Sequence, residues 1–187
     1  MKKQIICSLV VLSSMVSFHL ITAGDNKKPF AELSKLAGDQ WGGLRGDQDK
    51  LYKLFVAEKK SLGKDYFKSM LSFLGKDALK HQKVAQFLTR ESDEANNDLV
   101  GKEALLIMNQ GLAICSKTDD KKSKYTELTL HILAAIQSNK LGLNLLASDH
   151  KKKAEDMITK DKKLSGAFPS LDEKDLDLYD AIPDDTK

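Results

Sequence analysis

The chain is poor in the residues that staple small proteins or hold metals. Two cysteines in 187 residues cannot build a disulfide framework or a four-ligand zinc site. Proline occurs three times, at Pro29, Pro169 and Pro183, so residues 30–168 contain none. There is one tryptophan, and there are four histidines. Neither sign of charge dominates: 30 Lys and Arg against 27 Asp and Glu leave +3, too little to imply nucleic-acid binding. Hydrolase, zinc-protease and phosphate-loop signatures are all absent, and no Cys-His signature surrounds Cys115. What remains is length enough for one domain with a hydrophobic core.

The amino terminus has the order of a secretory leader. Met1-Lys2-Lys3 is basic, Ile5 to Val16 is mostly apolar, Thr22-Ala23-Gly24 is small, and Asp25-Asn26-Lys27-Lys28 is polar. That order predicts a signal peptide over 1–24, cut after Ala23 or Gly24. Serines 8, 13, 14 and 17, with His19 and Thr22, make the same stretch a poor membrane span. Cys7 stands at the front of the apolar run, where a lipoprotein cysteine would have to close it. Export without disulfides leaves packing to hold the fold. Cys115, within Leu112-Ala113-Ile114-Cys115, then reads as a buried structural thiol. The lysine-rich start is compatible with a bacterial source, and no N-x-[ST] sequon occurs.

A long proline-free body rich in Leu, Lys, Ala and Glu favours helix. The fold class expected is all-α, an irregular bundle of about five to seven helices over residues 25–163, with two central apolar helices. Glycines punctuate it. A helix after Asp47 carries Leu51, Leu54 and Phe55 and stops near Gly63. A second carries Phe67, Met70, Leu71 and Leu74 up to Gly75. A third runs from Leu79 toward Arg90, and a short one follows Pro29. Ala104–Met108 with Leu112–Cys115, and Leu128–Ile136 extending to Leu141–Ala147, are apolar almost all round and so central. Asn109, Gln110 and Gly111 interrupt the first of these. Thr118 is a candidate N-cap in the polar hairpin between them. Gly63-Lys64-Asp65, Gly75-Lys76-Asp77 and Gly101-Lys102-Glu103 share one form, read as a glycine helix stop followed by an acid in the next first turn.

Few residues stand out as functional. The glycine-rich stretch 38–47 could offer Trp41 as an anchor and Arg45 to a carboxylate, although a turn with Trp41 plugging the core explains it more simply. Glu127 and His131 share a helix face and could supply two metal ligands. No second histidine stands in register, so no metal and no cofactor are expected. Asp149-His150 ahead of three lysines reads as a solvated helix end.

The segment 164–187 differs from the body. Two lysines against seven acids give it −5, leaving +6 on residues 25–163. Ser170 and Glu173 fit a capping box. The short helix they would start presents Leu171, Leu178 and Ile182 near one side, with Leu176 and Tyr179 beside it. Such a segment either detaches to bind a partner's helix groove or is a tail folded back on the basic body or merely frayed. The leading expectation is an exported, non-enzymatic protein acting by protein–protein contact, with no nucleic acid and no stable membrane span after leader cleavage. Trp41, Arg45, Leu171, Leu176, Leu178, Tyr179 and Ile182 are its candidate contact residues. The alternatives are an exported cell-envelope hydrolase working through unidentified carboxylates and a membrane-anchored helical protein.

Overall fold

The computed structural model describes residues 28–37, 48–118, 120–164 and 173–183. The expected leader, the 38–47 stretch with Trp41 and Arg45, and Leu171 with the Ser170 cap all lie outside the described residues. Among the described residues there are eight α-helices and no strand: α1 (Ala31–Ala37), α2 (Gln48–Leu62), α3 (Tyr66–Leu74), α4 (Ala78–Ala95), α5 (Asp98–Cys115), α6 (Lys121–Lys140), α7 (Asn144–Lys160) and α8 (Glu173–Asp180). A 3-10 turn, Gly63–Asp65, joins α2 to α3. The expected all-α bundle is the fold, with seven helices of eight residues or more and the shorter α1 beside them.

Helix α6 is its axis. Every residue from Leu128 to Ser138 is buried, so the helix is enclosed by α5, α7, α4 and α8. Helix α5 lies between α4 and α6, but it is less central than its composition suggests. Lys102, Leu106, Asn109 and Ala113 form an exposed stripe. Conversely α4, which is not one of the two helices expected to be central, is buried continuously from His81 to Ala85. A second centre is aromatic: Phe30 stacks on Phe55 at 5.9 Å and meets Phe73 at 5.3 Å, and Phe55 meets Phe87 at 5.6 Å. Phe30 sits at φ 59°, a conformation unfavourable for a bulky residue. It holds a fully buried ring at the entrance to α1.

The punctuation is partly as expected. Gly75 closes α3 at φ 54°, its N–H donating to Leu71 O, and the Asp77 carboxylate caps α4 through Leu79 N and Lys80 N. Helix α4 runs past Arg90 to Ala95. Asn96, in the left-handed conformation, ends it, and the Asn97 side chain caps α5 through Leu99 N. Gly101 is not a stop, and Asn109 to Gly111 are not a break; both glycines lie inside a continuous α5. A Cβ at Gly101 would meet Gln137 Nε2 at 2.5 Å, and one at Gly111 would meet Leu130 Cδ1 at 2.8 Å and His81 Cβ at 3.0 Å. These glycines let α4, α5 and α6 approach closely.

The expected continuation of Leu128–Ile136 into Ala147 is also replaced, by a stop. Gly142 takes φ 71°, and Leu143 N donates to Ser138 O at 2.9 Å, a Schellman closure. The N-cap of α6 is Asp120, which accepts from Ser123 N. Thr118 instead donates to carbonyls of the last α5 turn and bonds Ser123 Oγ. No helix among the described residues is long and apolar enough to cross a membrane.

Candidate functional site

The antiparallel turn at Gly142 returns α7 along α6 and brings two histidines together. His131 Nδ1 and His150 Nδ1 are 2.9 Å apart, and the rings are 8% and 4% exposed. Burial is the main force on both, pushing His131 down to about 4 and His150 below its ordinary value, because an imidazolium loses hydration there. Lys153 adds to this, and Asp149 opposes it. His150 Nε2 is buried and without a hydrogen-bond partner among the described residues. His150 is therefore no solvated helix end. Its buried place is legible in the spacing Ala147, His150, Ala154, Met157, which is the apolar stripe of α7. Glu127 lies one turn before His131, half-buried, its carboxyl raised by burial. Among the described residues no group of three His, Cys, Asp or Glu is placed to hold a metal.

Helix α8 packs across α6 and hangs on the residue after His150. Lys151 Nζ donates to Ile182 O at 2.9 Å and to Asp180 O at 3.4 Å, Tyr179 OH donates to Lys151 O at 3.3 Å, and the ammonium lies 5.3 Å from the Tyr179 ring centroid. Of the candidate contact residues, Tyr179 and Ile182 are buried, while Leu176 and Leu178 are half-buried against the core. Burial, with Glu155 and Asp180 nearby, raises the Tyr179 phenol. Just beyond α7, Lys163 and Leu164 are also held in place. Leu164 is buried, and Tyr125 OH donates to Lys163 O at 2.7 Å.

A second polar cluster joins four helices. Lys59 of α2 pairs with Glu91 of α4 at 2.9 Å and lies 3.8 Å from Glu103 of α5. Tyr66 of α3 donates to Glu103, and Lys59 stands over its ring at 4.7 Å. Nearby, Arg90 of α4 bridges Asp49 and Glu94, and Tyr52 donates to Glu94. That desolvated phenol is pushed up to about 12. These carboxylates are already committed to cations and hydroxyls, so the clusters fasten α2 and α3 to α4 and α5.

Two further features were not signalled by motif. Lys83 is 7% exposed and has no ion pair among the described residues; desolvation lowers its ammonium. Leu99 is 70% and Leu145 77% exposed, with Leu143 also in water. The Lys140–Asp93 ion pair, at 2.8 Å, ties the two turns carrying them to one end of the bundle. Comparison with protein-family models, curated proteins and solved structures finds no match to the chain.

Proposed function

We propose that this chain is an exported, non-enzymatic helical protein that acts by protein–protein contact, with the acidic segment around α8 as its contact element. The observation that carries the reading is how α8 is held. It is an eight-residue amphipathic helix whose last turn, through Tyr179, Asp180 and the following Ile182, is bonded to Lys151 of α7. A helix this short is marginal alone and takes its order from the surface it packs on. It can therefore leave that seat and lay Leu176, Leu178, Tyr179 and Ile182 into a helix-accepting groove of a partner. The commitment of close carboxylates to neighbouring cations supports a non-catalytic role. The basic-apolar-small order of residues 1–24 supports export.

The test uses the full chain and a peptide of residues 170–187. Lys151→Ala weakens the seat without altering the segment, so it should strengthen capture of a protein from the source organism's secretome or target cells. The peptide should compete, and deletion of 164–187 should abolish capture. Capture indifferent to all three overturns the contact reading, and clearing of wall material in a zymogram overturns the non-enzymatic one. A purified product that retains Met1–Gly24 by mass overturns export by cleavage.

A further inference from the structure

The buried histidine pair and the seat of α8 meet at one turn of α7, where His150 and Lys151 are consecutive. In the Nδ1–Nδ1 bond one ring must donate and the other accept. Among the described residues His150 Nε2 has no partner, and an orphaned N–H is costlier than a bare lone pair. The economical assignment therefore has His150 donating from Nδ1 and His131 carrying its proton on Nε2. A further proton then has no good position. On His150 Nε2 it meets no acceptor, and on His131 Nδ1 it confronts the N–H of His150.

We propose that the His131–His150 pair is an acid-sensitive latch whose protonation separates α6 from α7 at this turn and releases α8 from Lys151. The charges around it are few. On α6, Glu127 precedes His131 by one turn. On α7, Asp149 and Lys153 act on the pair while bonded to each other at 2.7 Å. On α8, Asp180 stands at the seat, and Glu155 of α7 acts with it on Tyr179. Among the described residues no charge of α4 or α5 acts on either ring. No carboxylate of the described residues bonds either imidazole, and Asp149 favours the new cation only through space. Lowered imidazole affinity follows from burial and agrees with this geometry. The latch concerns the seat alone and holds whether or not a partner takes the segment.

Hydrogen exchange of the full chain, corrected for its intrinsic pH dependence, reads the latch directly. From pH 7.5 to 4.5 protection in 173–183 should fall at least tenfold and be lost, while residues 84–92 of α4, weakened no more than the whole domain is, stay protected. In the His131→Leu, His150→Leu double variant the protection of 173–183 should not depend on pH. Equal protection at both pH values, or release of α8 only where α4 has also lost all its protection, overturns the proposal. So does an unchanged fall in the double variant, which would assign release to the carboxylates of α8. NMR titration of the imidazoles in the wild-type chain gives a test that needs no variant. The midpoint of His131 or His150 must coincide with that of release, and coincidence with His81 alone overturns the latch.

Discussion

His131 Nδ1 and His150 Nδ1 lie 2.9 Å apart in the α6–α7 interface, bonded to each other and, among the described residues, to no carboxylate. Two neutral imidazoles satisfy one another at that distance, and an added proton breaks the arrangement. The pair therefore converts pH into free energy at the middle of the bundle.

Stability should fall as pH drops below about 6.5. The folded His131 binds its proton only near 4, whereas the unfolded one does so near 6.5, so the unfolded state binds more protons throughout that window. The stability is complete above the unfolded value and is lost as pH falls toward the folded one. At about 1.4 kcal/mol per unit, His131 alone accounts for roughly 2–3 kcal/mol between pH 7 and 4.5. His150 and His81 shift in the same direction. Urea unfolding followed by circular dichroism at pH 7 and 4.5 measures the loss, and equal midpoints exclude it.

Gly111→Ala should destabilise the protein although alanine is the better helix former. Propensity favours the substitution by about 1 kcal/mol. Against it, the new methyl would stand 2.8 Å from Leu130 Cδ1 and 3.0 Å from His81 Cβ. The second contact is at a Cβ and cannot swing away. Overpacking of this kind costs about 1–3 kcal/mol, so a lower Tm is expected, and an unchanged or higher one shows that α4 moves aside cheaply.

Those glycines show where sequence reading succeeds and where it stops. Gly63 and Gly75 were legible because they separate apolar runs, and both take positive φ. Gly101 has the same neighbours, Lys and an acid, but its role depends on Gln137, thirty-six residues away, which no local pattern discloses. Asn96-Asn97 carry a stop and a start in polar residues whose competition only the backbone resolves. His150 was legible as part of an apolar stripe, yet the lysines after it outweighed that spacing. Its partnership with His131 needed the reversal at Gly142. The apolar side of α8 is read from the sequence as Leu171, Leu178 and Ile182 with Leu176 and Tyr179 beside it, whereas the structure buries Tyr179 with Ile182 and leaves Leu178 half-buried; the seat on Lys151 has no local signal.

Lys83→Met should stabilise the protein. The ammonium is buried without an ion pair among the described residues, and desolvation lowers its proton affinity. Methionine keeps the stem's volume and removes the charge, and volume-conserving changes are well tolerated. A gain of about 1 kcal/mol is expected at pH 7, shrinking as pH rises and the lysine loses its proton in the folded state. Urea midpoints at pH 7 and 9.5 check both the sign and the trend.

Cys115 should resist modification in the native state. Its thiol is fully buried, and burial raises its pKa despite a bond from Ser123, so thiolate is both scarce and shielded. Alkylation at pH 8, followed on the Cys115 peptide by mass spectrometry, should be at least a hundredfold slower than in urea. Comparable rates would place the end of α5 among the readily opened regions.

Ile182→Ala should loosen α8 without unfolding the bundle. A buried isoleucine truncated to alanine ordinarily costs about 2–5 kcal/mol. Here the loss is bounded by the local stability of a short helix that can open by itself. Once α8 leaves its seat, the remaining core no longer registers the substitution. Leu130→Ala, deep in α6 against Gly111, has no such escape and should carry the full cost to global unfolding. The expected pattern is a small change in Tm for Ile182→Ala with rapid proteolysis near Lys174, against a large fall in Tm for Leu130→Ala. Equal falls in Tm would mean that α8 unfolds only with the bundle and is part of its cooperative core.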